Sequence, residues 1–362
     1  MADETRPVRE SEGLDWPTVV TYLRQALPQR AAFTSRHDRQ ALDQTPVISQ
    51  FPGGHSNLTY LLRFGSLELV LRRPPLGPVP PRAHDMAREA RWLDALHPVF
   101  PLAPAPLLLC EDLAVAGAVF YVMERRGGVV IRHEEPPAVA GHEEVRRGIS
   151  EALIDTLAAL HAVDVTAGDL SGLGKPSGFV ARQVDGWIDR WHKSATATVA
   201  EMDSLAEWLR HRVPEEPPRP AVVHGDYKLD NVVLASTDPR RVVAVLDWEM
   251  AALGDPLVDV GIFLAYWVPV ANPGEADALS TVTERPGWLR REEVIARYEA
   301  VSGRDLRGIR FYETFALFKL AVVIQQIYVR YVRGQTDDAR FAALGPRVAR
   351  LARRASDLAS LG

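Results

Sequence analysis

The sequence predicts an α+β chain of two lobes, a small β-rich lobe to about residue 125 and a larger, mainly helical lobe over 126–362. Three observations carry this. Between Val47 and Arg72 the apolar residues fall into short runs separated by turn residues, the pattern of strands. Beyond Gly128 the apolar spacing changes to the period of helices. One strand-rich island, Val222 to Leu246, interrupts those helices.

In chain order, residues 14–28 read as an amphipathic helix with Leu14, Val19, Tyr22, Leu23 and Ala26 near one face. Val47–Gln50, Leu58–Phe64 and Leu67–Arg72 read as three strands. Gly53-Gly54-His55-Ser56-Asn57 joins the first two, and a tight Gly65-Ser66 turn joins the next two. A proline-rich loop, Pro74 to Pro81, precedes a helix over 83–96. Strands follow at Pro106–Cys110 and Val119–Met123, and Gly127-Gly128 reads as a hinge. Helices are expected over 143–162, 178–192, 198–211, 256–268, 291–301, 308–333 and 338–359, with a local linker at Pro214–Pro218.

Composition narrows the function. The net charge of −5 over 362 residues gives no global signature of nucleic-acid binding. The single cysteine, Cys110, excludes an intrachain disulfide and sits in an apolar run, as a reduced, buried small hydrophobe does. Residues 1–13 are polar and lack the apolar core of a signal peptide. The apolar run Gly261–Val270 is too short to span a bilayer. The expectation is a soluble cytoplasmic protein with neither a membrane nor a nucleic-acid partner; its oligomeric state is not legible. Lysine occurs only at Lys175, Lys193, Lys228 and Lys319, so the first lobe has none.

Chemistry concentrates in Val222-Val223-His224-Gly225-Asp226-Tyr227-Lys228-Leu229-Asp230-Asn231-Val232-Val233-Leu234, followed by Val242-Val243-Ala244-Val245-Leu246-Asp247-Trp248-Glu249. An apolar strand ends in a polar loop holding Asp226 and Asn231, and a later strand delivers Asp247. Phosphoryl transfer needs such a set: one carboxylate orients the attacking hydroxyl and accepts its proton, while a second carboxylate and an amide oxygen hold Mg²⁺ on nucleotide phosphates. Hard oxygen ligands suit Mg²⁺, and no Cys or His cluster suggests structural zinc. Either segment alone is also explained as a polar β-turn; the pair at this spacing is what points to the chemistry.

The block resembles the aminoglycoside-phosphotransferase and choline-kinase superfamily, with its catalytic loop H-G-D-x-x-x-x-N. The resemblance implies a two-lobed protein-kinase-like fold, ATP and Mg²⁺ as cofactors, Asp226 as catalytic base, and Asn231 and Asp247 as metal ligands. It makes His224 and Gly225 loop-shaping residues. It makes Asp259, in Asp255-Pro256-Leu257-Val258-Asp259, an anchor for backbone N–H groups of that loop. It places Gly53, Gly54, His55, Ser56 and Asn57 over the phosphates, and Met123, Glu124 and Arg125 at the hinge, with the backbone of Glu124 and Arg125 meeting the adenine edge. The third-strand lysine of kinase-like proteins is missing; Arg72 takes its place, with Glu89 as partner.

A narrower resemblance rests on Leu69-Val70-Leu71-Arg72-Arg73-Pro74-Pro75, Gly172-Leu173-Gly174-Lys175-Pro176 and Ala181-Arg182-Gln183-Val184-Asp185-Gly186-Trp187. It is similar to the kinase-like domain found alone in bacteria or fused ahead of acyl-CoA dehydrogenases, and covers roughly residues 45–270. It implies phosphorylation of hydroxyacyl-CoA thioesters, 4-hydroxyacyl-CoA among them. Lys175, Arg182 and Arg190 are the candidate contacts to such an anionic acceptor, and solvated helix faces would carry the same residues. The acidic cluster Glu134, Glu135, Glu143 and Glu144 weighs against a basic acceptor site. A kinase acting on aminoglycosides or other small alcohols, and a catalytically weak nucleotide-binding module, are the competing readings. A protein kinase is disfavoured because only residues 248–258 separate Asp247 from Asp259, too few for a peptide platform.

Overall fold

The computed structural model describes residues 5–31, 33, 36–52, 57–76, 84–166, 168–267, 282–335 and 339–361. They divide into two compact units: Met1–Gly127 with Val243–Glu249, and Gly128–Val242 with Met250–Gly362.

The first unit is built on a five-stranded antiparallel sheet ordered β1-β2-β3-β5-β4. Its strands are β1 (Val47–Gln50), β2 (Leu58–Phe64), β3 (Leu67–Arg73), β4 (Pro106–Cys110) and β5 (Phe120–Glu124). Phe64 pairs with Leu67, so Gly65-Ser66 closes the hairpin in two residues. Gly65 has φ +56°, a left-handed conformation that favours glycine. Helix α1 (Trp16–Ala26) starts at Asp15, whose carboxylate accepts from Thr18 N, and buries Val19, Val20 and Leu23 in a core with Tyr60, Leu62, Leu71, Phe120 and Val122. Cys110 lies in the same core. Helix α3 (Met86–Leu96) is capped by Asp85 and buries Trp92, Leu93 and Leu96.

Two short helices, α2 (Arg36–Ala41) and α4 (Leu113–Ala116), have no counterpart in the sequence reading. Runs of this length do not show a helical period; α4 is instead set by its ends, with Asp112 accepting Ala114 N and Gly117 closing at φ +71°.

The second unit is mainly helical. Its long helices are α5 (Glu143–His161), α6 (Phe179–Ser194), α7 (Ala200–His211), α8 (Leu257–Trp267), α9 (Arg291–Ser302), α10 (Ile309–Val332) and α11 (Leu344–Ser360). The short strands β6 (Ala221–Val223), β7 (Val232–Leu234) and β9 (Ala252–Gly254) belong to it, whereas β8 (Val242–Val245) runs largely into the first unit. β6 pairs antiparallel with β9, Val222 opposite Leu253. By length and composition α10 is the one described helix apolar enough to cross a membrane, which the run Gly261–Val270 is not; 56% of its apolar window is buried, and it packs on α8, α11 and α6.

The boundary expected near residue 125 falls after Gly127, and the segment carrying Asp247 groups with the sheet unit rather than the helical one. Local contacts explain this: Val245 N donates to Leu102 O at 2.8 Å, and Trp248 packs edge-on against Phe100 at 6.2 Å. These partners lie far away in sequence, so no local pattern announces them.

Candidate active site

In the helical unit, β6 ends at His224-Gly225-Asp226. Gly225 has φ +82°, and a Cβ there would lie 2.8 Å from Met250 Cβ and 2.9 Å from its carbonyl oxygen, so the turn admits only glycine. Asp259, buried in the first turn of α8, accepts the N–H of His224 at 2.6 Å and of Gly225 at 2.7 Å. His161 Nε2 lies 3.3 Å from the same carboxylate, and its Nδ1 2.6 Å from the Tyr298 hydroxyl. Burial pushes the imidazole's pKa down. A neutral ring that donates from Nε2 must accept at Nδ1, so Tyr298 is the donor. Burial pushes the Asp259 carboxyl up, but the hydrogen bonds it accepts, from His161 above all and from the His224 backbone, hold it below the usual range. Asp226 N donates to His224 Nδ1 at 3.2 Å, so that nitrogen carries a lone pair and His224 is tied into the turn.

Among the described residues, the Asp226 carboxylate is fixed on one side only. Its Oδ2 accepts from Lys228 Nζ at 2.8 Å and from Asn231 Nδ2 at 3.0 Å, while Asn231 Nδ2 also reaches the Asp226 carbonyl at 2.9 Å. Asp226 Oδ1 and the Asn231 amide oxygen stay outside these bonds, the two atoms that general-base and metal-ligand chemistry require. Lys228 was not singled out from sequence. It stands 4.8 Å from the Tyr266 ring centroid; burial pushes its pKa down, but Asp226 and Tyr266 outweigh that and hold it above the ordinary lysine value. Its rarity in this chain, two residues after Asp226, was the available cue.

Beside Gly225 opens a cavity of about 290 Å³ between α6 and α10. Phe179, Trp187 and Phe315 supply aromatic walls, Arg182, Arg190 and Lys319 supply cations, and no Asp or Glu is among its described lining residues. Of the three sequence candidates, Arg182 and Arg190 line it, and Lys175 is exposed and does not. Arg182 is already engaged by the carbonyls of Ser177 and Lys175, and Arg190 by the Gly186 carbonyl at 3.0 Å and the Trp187 ring. The basic excess read over 171–193 is reduced further by Lys193 pairing with Asp189 at 2.5 Å. Of the acidic cluster, Glu135 has its side chain buried and clamped by Arg146 at 2.8 Å and Arg285 at 2.6 Å, while Glu134, Glu143 and Glu144 are exposed.

In the sheet unit, Arg72 on β3 pairs with Thr59 and Tyr121 on the flanking strands. Its guanidinium bonds Asp247 Oδ1, and its Nε lies 3.4 Å from Glu89 Oε2. Glu249 Oε2 stands 3.9 Å away and accepts from Asn57 Nδ2 at 2.8 Å. Arg73, on the other face, donates instead to the Ala116 carbonyl at 2.9 Å. Asp247 takes φ +71°, unusual for a non-glycine residue and a mark of backbone held by its surroundings. Three carboxylates thus surround one guanidinium. Burial raises the Glu89 pKa, and burial with Asp247 pushes Glu249 up to about 7. This surplus of negative charge fits a divalent cation. Among the described residues no group of three or more His, Cys, Asp or Glu side chains is set to hold a metal by itself. Mg²⁺ in phosphoryl transfer takes one or two protein oxygen ligands and the substrate's phosphates, and Asp247 is a ligand of that kind within this unit.

At the hinge, Glu124 N donates to Ala105 O at 3.0 Å, and its carboxylate accepts Ala105 N at 2.7 Å. Its N–H is therefore engaged within the sheet unit. Met123 is buried opposite Val70, and Arg125 stacks over Phe51 at 5.1 Å. Gly53, Gly54, His55 and Ser56 lie outside the described residues.

Residues 47–294 match the family model described as the phosphotransferase enzyme family, APH. Acyl-CoA dehydrogenase family member 11 of Rattus norvegicus is 36% identical over 339 residues, which cover 91% of this chain and 41% of that protein. Family member 10 of Mus musculus is 32% identical over 359 residues, covering 98% and 32%. The chain thus spans about two fifths or less of these relatives' length. A crystal structure from Ralstonia eutropha JMP134, classed with the aminoglycoside phosphotransferases, superposes with a TM-score of 0.77 at 30% identity, covering 96% of this chain and 98% of its own. Aminoglycoside phosphotransferase APH(4)-Ia, in a ternary complex with AMP-PNP and hygromycin B, shares the fold at a TM-score of 0.54 and 20% identity over 85% of this chain and 94% of its own. With a kinase-like α+β fold, a matching family model and relatives aligned over nearly its whole length, the chain belongs to the phosphotransferase enzyme family.

Proposed function

We propose that the chain transfers the γ-phosphoryl group of ATP to a hydroxyl of a small, anionic hydroxyacyl thioester. The observation that carries the acceptor class is the cavity beside Gly225: aromatic walls, three cationic side chains and, among the described residues, no carboxylate in its lining. Such a lining attracts an anion with an apolar body and repels a polycation. The likeness to the acyl-CoA dehydrogenase family members supports the same acceptor.

In this reading the acceptor hydroxyl meets Asp226 Oδ1, which takes its proton as the oxygen attacks phosphorus. Lys228 and Asn231 hold the opposite carboxylate oxygen, so the base keeps one orientation through the reaction. Asn231 and Asp247 would hold Mg²⁺, which when bound neutralises charge on the triphosphate. Arg72 would hold the phosphates in place of a lysine, oriented by Glu89.

An aminoglycoside kinase is the second reading, favoured by the hygromycin B complex of a fold neighbour. An ATP-consumption screen across hydroxyacyl-CoAs, aminoglycosides, choline and sugars separates the two. The proposal expects turnover with hydroxyacyl-CoAs; turnover confined to aminoglycosides would replace it, and turnover with none would point to a nucleotide-binding module.

A further inference from the structure

Lys319 is a buried cation of the helical unit to which the reaction above gives no individual contact. It sits in the middle of α10 with 8% of its surface exposed. Its ammonium donates to the Gly225 carbonyl at 2.5 Å and stands 5.3 Å from the Trp187 ring centroid. An ammonium carries three N–H donors, and among the described residues the Gly225 carbonyl is its one hydrogen-bond acceptor. No described carboxylate lies within ion-pair distance of it. Burying a cation without a paired anion is costly, and the two remaining donors have no acceptor among the described residues. The side chain lines the cavity between α6 and α10, so those donors have somewhere to act.

We propose that Lys319 anchors the acyl oxygen of the acceptor, its ammonium bridging that oxygen and the carbonyl of the residue preceding Asp226. This rests on the hydroxyacyl reading and deepens it. The anchor ties the acyl end of the substrate to the backbone of the loop that carries the base. The hydroxyl is then presented to Asp226 at a fixed distance along the chain, with Trp187, Phe179 and Phe315 covering the methylenes between. The same ammonium, together with Arg182 and Arg190, disfavours any acceptor that brings amines into the cavity. A thioester carbonyl and the carboxylate of a free hydroxy acid offer the same acceptor chemistry, and the test separates them.

Steady-state kinetics on the full chain uses three probes: a 4-hydroxyacyl-CoA, the corresponding thioether in which CH₂ replaces the carbonyl, and the free 4-hydroxy acid. Each is measured with wild type, Lys319→Met, Lys319→Gln and Lys319→Arg, with thermal melts alongside. Hydrogen bonds to charged groups predict that Lys319→Met raises the KM for the thioester about tenfold or more, with the KM for ATP and for the thioether unchanged. If Lys319→Met does not fold, the Gln and Arg variants carry the comparison, Arg retaining more of the thioester preference than Gln. A Lys319-dependent preference for the free acid over the thioester assigns the anchor to a carboxylate. Equal losses on thioester and thioether reduce Lys319 to a support of the Gly225 turn and overturn the proposal, as does no loss on either. Wild type that phosphorylates none of the probes overturns the acceptor reading itself. Wild type that prefers the thioester, with that preference intact in the variants, overturns only the role of Lys319.

Discussion

The carboxylate of Asp259 accepts the N–H of Gly225 at 2.7 Å, and with its other oxygen it accepts the N–H of His224, so one buried side chain fixes both residues that precede Asp226. Asp259→Asn turns one acceptor into a donor that faces a backbone N–H. Losing a buried, charged hydrogen-bond partner predicts a stability loss of about 3 kcal/mol. Turnover should fall with it, because the Asp226 backbone is no longer held. Denaturant unfolding beside steady-state kinetics checks this, and a variant with wild-type stability and rate would show that the turn holds without Asp259.

Asp226→Asn should remove the base while keeping the contacts that shape its loop, since an amide oxygen can still accept from Lys228 and Asn231. General-base contributions predict a loss in kcat of about 10² to 10⁴. Affinity for nucleotide, followed by calorimetry, should change little. Near-normal turnover in the folded variant would remove Asp226 from the reaction.

Arg72 and Arg73 lie on opposite faces of β3, and their partners differ accordingly. Arg72→Ala strips the buried Glu89 and the half-buried Asp247 of their cation, so it should weaken ATP and lower stability by about 3 kcal/mol. Arg73→Ala loses a bond to the Ala116 carbonyl, worth about 1 kcal/mol, with ATP affinity unchanged. Glu89→Ala should partly copy the Arg72 defect. Calorimetric titration of ATP into the three variants distinguishes them, and a nucleotide defect in Arg73→Ala alone would reverse the assignment.

Burial lowers the Lys319 pKa from its ordinary 10.5 to about 8; Asp226 and Asp259 oppose the shift, and Lys228 and Arg190 add to it. The folded-state value lies below the unfolded one, so the unfolded chain binds the proton more tightly. This group's contribution to stability therefore rises with pH between about 8 and 10.5. Its contact with an acyl oxygen runs the other way, because that contact needs the ammonium. The KM for the acceptor should climb as pH rises through about 8, and Lys319→Met should flatten that rise. A KM profile identical in the variant would detach the titration from Lys319.

How much was legible follows from range. The alternation of β3 put Arg72 and Arg73 on opposite faces, and the spacing from Asp226 to Asn231 marked one loop, because both are properties of neighbouring residues. Glu89 was reachable as the buried acid of the next helix. Lys319 was not: it stands 94 positions from Gly225, in a helix that is apolar nearly all round and shows no face. The joining of Val243–Glu249 to the sheet unit is equally long-range. Arg182 lines the cavity, but its engagement by the carbonyls of Lys175 and Ser177 was not legible, since a guanidinium so held looks the same in sequence as one aimed wholly at a ligand.

The central claim is ATP-dependent phosphorylation of a hydroxyacyl thioester with Asp226 as the base. Phosphorus NMR of wild type with ATP, Mg²⁺ and a 4-hydroxyacyl-CoA tests it most directly. The account predicts ADP and a new phosphomonoester resonance in equal amounts, both absent with Asp226→Asn. ADP with free phosphate and no phosphomonoester, or a phosphomonoester that persists in Asp226→Asn, would contradict it.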